Sequence, residues 1–307
     1  MRKPPALTPG DLIGIVAPAG PFDQGTFERG IAQLQALGFR VTYGPEIFHT
    51  YRYLAGRDAS RAEQLLRYFT DPEVKAIFCA RGGYGSLRLI RRLAPQVIRA
   101  HPKIFMGYSD ITTLLLYLQF HCSLVAFHGP MVAADLGRDP SPQTQEHLLR
   151  VLGSPQPPGE IWEPTVEVLR KGVASGPLTG GCLTLVALSL GTPFEIQTQG
   201  AILFLEDVGE RPYRIDRMLT YLRLAGKLRG VKGILFGTME GCAPPEGSPY
   251  RLQAVIADAL RGLRIPILYN FPAGHGDNRW VLPFGVRVTL DGNAGRLILE
   301  EGAVREN

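Results

Sequence analysis

A serine, a histidine and a glutamate in this sequence stand where side chains can do nucleophilic chemistry. Ser109 lies in the segment Gly-Tyr-Ser-Asp-Ile, between a short apolar run at residues 104–106 and an apolar stretch predicted to be a helix. A serine held at a strand-to-helix corner is exposed and lies beside unpaired backbone N–H groups that can stabilise an oxyanion. The segment has the first glycine of the G-x-S-x-G motif and lacks the second, so a helix N-cap role for Ser109 stays open.

A serine nucleophile requires a base, and the base requires a partner that fixes its tautomer. His275 is the favoured base because glycines flank it in a turn from which an imidazole can project, although a loop histidine without a role is the alternative. Glu206 is the favoured partner because it ends the apolar strand predicted at residues 201–205. Asp207 would point to the opposite face of that strand. Glu210 fits better as a charge near the start of the following helix.

A glycine-rich loop at residues 80–86 follows an apolar strand predicted at residues 74–79. Its glycines would let a phosphate, a dinucleotide or an oxyanion approach the backbone N–H groups, and a tight structural turn is the alternative. The dinucleotide fingerprint fails because Arg88 occupies the place of the third glycine, and no Walker lysine follows. Arg81 is a candidate clamp for a substrate carboxylate, or else a member of a structural ion pair. His128, after another predicted strand, is either a base or a structural histidine.

The composition excludes several classes of function. The formal charge is +5, but no basic block is interleaved with aromatic residues, so nucleic acid is a poor candidate partner. No apolar stretch is long enough to span a membrane, and no signal peptide is expected, so the chain is expected to be cytoplasmic. The four cysteines form no C-x-x-C pair, which predicts reduced thiols and neither a zinc site nor a disulfide framework. We expect no metal and no cofactor.

The elements predict an α/β protein with two domains, since 307 residues exceed what one hydrophobic core usually serves. Strands and helices alternate over residues 1–155, which predicts a doubly wound, mostly parallel sheet covered on both faces. A Pro- and Gly-rich stretch begins at residue 153, and we assign residues 156–171 as the linker. Residues 172–307 are predicted to form a smaller, β-rich α+β domain that ends in strands near residues 280–284, 286–290 and 296–299.

The motifs together resemble the serine LD-carboxypeptidase family of murein-recycling peptidases, which also includes microcin-immunity hydrolases. The similarity rests on four segments in the same order: residues 80–85, residues 107–112, residues 205–219 and the Gly-His pair at 274–275. It extends over nearly the whole chain, including the Pro-Gly-Asp opening at residues 9–11. Cys182 departs from the pattern, because asparagine is expected at that position in the family.

The resemblance implies a catalytic triad of Ser109, Glu206 and His275, with the nucleophile in the amino-terminal domain and its two partners in the carboxy-terminal domain. It further implies an oxyanion hole formed by the backbone N–H groups of Asp110 and Gly83, and a homodimer. The implied activity is metal-independent release of the terminal D-alanine from a murein tetrapeptide, a small peptide substrate, in cytosolic peptidoglycan recycling. Two alternatives stay open: an immunity-type hydrolase of peptidyl-aminoacyl-nucleotide antibiotics, and a non-catalytic peptide-binding module.

Overall fold

The computed structural model describes residues 1–306 and contains two β-sheets. The first sheet has six strands: β1 (Leu12–Val16), β2 (Arg40–Thr42), β3 (Val74–Cys79), β4 (Ile104–Gly107), β5 (Ala126–His128) and β12 (Leu282–Phe284). They lie in the order β12-β5-β4-β3-β1-β2, and all neighbours are parallel except β12 and β5. The predicted parallel sheet is therefore present in the amino-terminal half.

Helices connect the parallel strands of the first sheet, as the alternating pattern requires. They are α1 (Gln24–Ala36), α2 (Asp58–Thr70), α3 (Pro95–Ala100) and α4 (Thr112–His121), and a fifth helix, α5 (Pro142–Gly153), follows β5 and leads to the second sheet. Shorter 3₁₀ turns occupy Pro45–Phe48, Ser86–Arg92, Ser109–Ile111 and Leu136–Arg138. Asp23 is the N-cap of α1, because its side chain accepts a hydrogen bond from the backbone N–H of Thr26.

The second sheet is mixed and has eight strands: β6 (Gly159–Trp162), β7 (Glu167–Arg170), β8 (Val173–Cys182), β9 (Ile202–Val208), β10 (Gly233–Glu240), β11 (Ile267–Tyr269), β13 (Arg287–Asp291) and β14 (Arg296–Leu299). They lie in the order β6-β14-β13-β8-β9-β10-β11-β7. Parallel pairing joins β8 through β11 at the centre, and antiparallel strands flank them. Three helices accompany this sheet: α6 (Leu183–Leu188), α7 (Pro212–Leu224) and α8 (Leu252–Ala259).

Two segments differ from the domain organisation that the sequence predicts. Residues 156–171, expected as a linker, contain β6 and β7, which pair with β14 and β11 of the second sheet. Leu282–Phe284, expected among the strands of the second domain, instead pairs with β5 and completes the first sheet. A short buried strand at that position covers an edge that would otherwise expose unpaired backbone groups. The domain boundaries themselves remain a prediction.

Helix α4 lies between the two sheets. It is mostly apolar and has no continuous polar face, which is typical of a helix buried all round. The Gln119 side chain fixes α4 to β8, since its Nε2 donates to Leu178 O at 3.2 Å and its Oε1 accepts from Thr179 Oγ1 at 2.7 Å. These bonds fix the helix that follows Ser109 against the sheet that carries Glu206. Within residues 1–306, no helix has both the length and the apolar character needed to cross a bilayer.

Candidate active site

Ser109 lies at a sharp turn immediately beyond β4. The strand ends at Gly107, and the chain passes through Tyr108 into a 3₁₀ turn that continues as α4. The φ angle of Ser109 is +63°, in the left-handed region that serine rarely adopts. The Ser109 side chain caps neither the 3₁₀ turn nor α4. A strained serine at a strand-to-helix turn is the geometry of a nucleophile elbow.

The glycine loop at residues 80–86 lies directly against Ser109. A Cβ atom added to Gly82 would lie 2.9 Å from the Cβ and 3.2 Å from the Oγ of Ser109, so a glycine is required at this close approach. Asp110 ties the loop to the elbow, because its Oδ2 accepts from Ser86 N at 2.8 Å and its carbonyl oxygen accepts from Ser86 Oγ at 2.6 Å.

Two backbone donors near this turn are available to a ligand. Among residues 1–306, the N–H groups of Gly83 and Asp110 donate no hydrogen bond to the protein. Gly83 adjoins the residue that packs on the Ser109 side chain, and Asp110 follows Ser109 in the chain. The two groups predicted to form an oxyanion hole are thus free of protein acceptors, one directly after the serine in the chain and the other directly after the glycine that packs on it.

Glu206 lies within β9 and is completely buried. The alternation of side chains along the strand turns Asp207 to the other face, where its Oδ2 accepts from the N and Oγ1 of Thr184. Glu210 forms an ion pair of 3.2 Å with Arg214 of α7. Of the three carboxylates considered from the sequence, only Glu206 contacts His275.

His275 lies in the loop after β11, where an isolated bridge pairs the preceding Gly274 with Thr238 of β10. Gly274 has a φ of +111°, and a Cβ added there would lie 2.7 Å from Glu206 Oε2. A glycine at this position therefore allows the loop to pass against the carboxylate.

The structure brings the three predicted side chains into one hydrogen-bonded chain. His275 Nε2 lies 3.1 Å from Ser109 Oγ, and His275 Nδ1 lies 2.6 Å from Glu206 Oε2. The ionised carboxylate can only accept, so Nδ1 carries the proton and Nε2 is free to accept from the hydroxyl. Ser109 comes from the first sheet and Glu206 from the second, so the hydrogen-bonded chain crosses between the two sheets.

Electrostatics favour an ionised Glu206 beside an imidazole that readily takes a proton. Burial raises the pKa of Glu206, but the interactions with His128 and His275 outweigh burial and hold this pKa well below its ordinary value. Burial lowers the pKa of His275, but the hydrogen bond and negative charge of Glu206 raise it more, and the net pKa lies above the ordinary value. The site is therefore suited to forming an imidazolium during a reaction.

Comparison with known proteins identifies the family. Residues 13–129 match the LD-carboxypeptidase N-terminal domain, and residues 175–290 match the LD-carboxypeptidase C-terminal domain. The chain is 38% identical to a probable murein peptide carboxypeptidase of Bacillus subtilis, over 98% of this chain and 95% of that protein. It is 33% identical to the murein tetrapeptide carboxypeptidase of Pseudomonas aeruginosa, over 92% of this chain and 93% of that protein.

The chain belongs to the LD-carboxypeptidase family. It is accordingly a serine-type carboxypeptidase. The solved structure of the microcin C7 self-immunity protein MccF in its apo state is also similar, with a TM-score of 0.93 and 26% identity over 99% of this chain and 100% of that one. The fold of this chain is thus shared with a protein whose name indicates a role in self-immunity.

His128 lies beside the second oxygen of Glu206 rather than beside Ser109. Its Nε2 is 3.8 Å from Glu206 Oε1, and the imidazole is buried among the rings of Tyr108, Phe204 and Phe284. This position fits the structural histidine of the two alternatives left open by the sequence, because the contact with Ser109 is made by His275.

Arg81 and Cys182, two residues singled out in the sequence, lie in different surroundings. Arg81 is exposed, and its Nη1 donates to Pro21 O at 2.7 Å. It forms no ion pair with any residue that the structure describes, so its charge is available to a ligand. Cys182 is buried, with its N–H donating to Thr112 Oγ1 at 3.1 Å and its Sγ 3.6 Å from Asp207 Oδ1.

The sequence did not single out a polar cavity beside His275. This cavity has a volume of about 390 Å³ and is lined in part by Tyr108, Asp135, Arg138 and Arg279. Arg279 lies four residues after His275, so the loop that supplies the imidazole also supplies a cation. The four-residue spacing of His275 and Arg279 was the one feature of the sequence that could have indicated a cation beside the imidazole. Across residues 1–306, no three His, Cys, Asp or Glu side chains form a group that could hold a metal ion.

Proposed function

We propose that this chain releases the terminal D-alanine of murein tetrapeptides, with Ser109 as nucleophile, His275 as general base and Glu206 as its partner. The observation that carries the proposal is the continuous hydrogen-bonded chain from Ser109 Oγ through His275 to Glu206 Oε2, at 3.1 Å and 2.6 Å. Such a constellation recurs on unrelated folds and is recognised by its geometry.

In the acylation step, His275 Nε2 takes the proton of the Ser109 hydroxyl as Oγ attacks the scissile carbonyl carbon. The carbonyl π electrons move to the oxygen and form a tetrahedral oxyanion, while Glu206 holds Nδ1–H and stabilises the imidazolium. The intermediate then collapses, the C–N bond breaks, and the departing amine of D-alanine takes the proton from His275 Nε2. The tripeptide remains as an ester on Ser109.

The N–H groups of Gly83 and Asp110 would face the oxyanion, and the loss of one such donor typically costs about 3 kcal/mol of transition-state stabilisation. In the deacylation step, a water molecule gives a proton to His275 Nε2 and attacks the ester carbonyl. Collapse returns that proton to Ser109 Oγ and releases the tripeptide, which regenerates the free site.

The names of the relatives support the murein substrate. Both the Bacillus subtilis and the Pseudomonas aeruginosa relatives carry murein in their names, at 38% and 33% identity. We propose from that substrate that the protein acts in the cytoplasm, in peptidoglycan recycling.

We also propose a homodimer, as the family resemblance implies. Sedimentation of the purified protein at several concentrations tests this oligomeric state.

An immunity-type hydrolase is the second candidate function. The likeness to MccF supports it, and so does an exposed aromatic pair beside the glycine loop. The rings of Tyr53 and Tyr84 lie 5.6 Å apart and line a cavity of about 510 Å³ together with Arg81 and Gly83. Aromatic faces of this kind can stack on a nucleobase.

The test is an assay for free D-alanine with a murein tetrapeptide as substrate and Ser109→Ala as the control. We expect release by the unchanged protein and none by the variant. Hydrolysis of a peptidyl-aminoacyl nucleotide without D-alanine release would favour the immunity-type function. Turnover of neither substrate would favour a peptide-binding module.

A further inference from the structure

The polar cavity beside His275 is lined by three arginines that reach it from separate parts of the chain. Arg81 belongs to the glycine loop, Arg138 to the 3₁₀ turn before α5, and Arg279 to the loop that carries His275. We call this cavity the arginine pocket. It adjoins the hydrogen-bonded chain directly, because His275 is one of its lining residues.

Arg279 is held in place by a buried carboxylate. Its Nε lies 2.7 Å from Asp135 Oδ1, its Nη1 donates to Asp277 O at 3.1 Å, and its side chain is 22% exposed. Asp135 also accepts from the Tyr108 hydroxyl at 3.0 Å and from Met131 N at 2.7 Å. Residues 1–306 supply no hydrogen-bond acceptor to Arg279 Nη2. The guanidinium is thus fixed with donors still unused.

The other charges leave the arginine pocket positive. Arg138 is exposed and has no ion-pair partner within the described chain. Two carboxylates also line the cavity, but each is already engaged: Asp135 with Arg279, and Asp23 as the cap that accepts from Thr26 N at 2.8 Å. The lining therefore carries three guanidinium groups and only two carboxylates, both of which already have partners, and this balance of charge favours an anionic ligand.

We infer that the arginine pocket binds the terminal carboxylate of the scissile peptide, with Arg138 and Arg279 as its main ligands and Arg81 at its edge. The inference rests on the proposed function, which puts the leaving amine next to His275 Nε2. In D-alanine one carbon separates that amine from the carboxylate, so the carboxylate must lie within reach of the groups that surround His275. The arginine pocket supplies cations in that volume.

This assignment explains how the site removes a terminal residue only. A free carboxylate forms charge-assisted hydrogen bonds with the guanidinium groups, whereas an internal peptide or a terminal amide leaves these cations without a partner. Asp135 is a positioning residue in this account, because it orients Arg279 without touching the substrate. Selectivity for the chain end follows from the pocket and not from the triad.

The experiment compares two tetrapeptides that are identical except at the end, one with a free D-alanine carboxylate and one with D-alaninamide. We expect the unchanged protein to prefer the acid in kcat/KM. Arg138→Gln and Arg279→Gln should each lower kcat/KM for the acid by roughly 10- to 100-fold and leave the amide nearly unaffected. Arg229→Gln, which changes an exposed arginine in the turn after α7, should match the unchanged protein.

Arg279→Gln also removes the partner of buried Asp135, so Arg279→Lys is measured beside it. Lysine keeps the positive charge and loses the planar fork, and we expect an intermediate preference for the acid. If Arg138→Gln and both Arg279 variants keep the full preference of the unchanged protein, the arginine pocket does not bind the carboxylate.

A binding measurement separates this inference from the proposed reaction. In the Ser109→Ala background, calorimetry should show tighter binding of the acid than of the amide, and Arg138→Gln should reduce that difference at least tenfold. If the acid is preferred in binding but no D-alanine is released by the unchanged protein, the pocket stands and the proposed reaction fails. If D-alanine is released but acid and amide bind equally, the pocket assignment fails alone.

Discussion

At the scale of single residues, the surroundings of each carboxylate determine which one can act with His275. Glu206, Asp207 and Glu210 are close in sequence, yet only Glu206 contacts His275, whereas Asp207 accepts from Thr184 and Glu210 pairs with Arg214. The negative charge of Glu206 raises the pKa of His275 above its ordinary value. Local contacts thus select one carboxylate of three.

This arrangement predicts the pH dependence of the reaction. The base must be neutral, so kcat/KM should fall as the pH drops through the raised pKa of His275. Glu206→Gln removes the charge that favours the imidazolium, so the pKa of His275 falls and the acidic limb of the profile moves to lower pH. We also expect kcat to fall by about 10³-fold or more, since the imidazole loses its oriented tautomer.

Glu210→Gln is the matched control, because that carboxylate pairs with Arg214 away from the site. Its pH profile should coincide with that of the unchanged protein. An acidic limb that stays in place or moves to higher pH in Glu206→Gln would contradict the role assigned to this carboxylate.

At the scale of elements, the turns that follow β3 and β4 position the nucleophile. Both strands are parallel neighbours, so their carboxyl ends lie at one edge of the sheet, with the glycine loop after one and the strained serine after the other. The sequence alone predicted a strand before each of these two turns, because an apolar run broken by glycine is a local pattern. The sequence could not reveal that Gly82 packs directly on Ser109, since that contact joins two separate turns.

The contact predicts the effect of adding one methyl group. Gly82→Ala puts a Cβ atom 2.9 Å from the Cβ of Ser109, so the serine or the loop must shift. We expect kcat to fall by about 100-fold, because small displacements of a nucleophile are costly. Thermal unfolding reports whether the fold survives, and steady-state kinetics report the activity.

Gly25→Ala is the control, since its Cβ would meet nothing nearer than 3.4 Å and α1 gains a better helix former. Equal activity of Gly82→Ala and Gly25→Ala would show that the glycine loop does not constrain Ser109.

At the scale of the whole molecule, the site exists only because two sheets meet. The resemblance named Ser109, Glu206 and His275 together, but composition and periodicity could not bring together groups separated by 97 and 69 positions in the chain. Two long-range features were missed for the same reason. Leu282–Phe284 pairs with a strand of the first sheet, and Arg138 lines the same cavity as Arg279 although the two lie in different segments. Neither arrangement corresponds to a local pattern in the sequence.

The buried contacts between α4 and β8 should support this meeting of the sheets. Gln119→Leu leaves the Thr179 hydroxyl without its acceptor, and we expect the free energy of unfolding to fall by about 1 to 3 kcal/mol in denaturant titrations. The double variant Gln119→Leu/Thr179→Val removes both polar partners and should lose less than the single variant. A single variant as stable as the unchanged protein would mean that this contact adds nothing.

Capture of the covalent intermediate tests most directly whether Ser109 is the nucleophile. The protein is mixed with murein tetrapeptide, quenched in acid within the first turnover, digested and examined by mass spectrometry. We expect an added mass equal to the tripeptide acyl group on Ser109, and no such mass in Ser109→Ala. An acyl group on a different residue, or D-alanine release by Ser109→Ala at the unchanged rate, would contradict this role of Ser109.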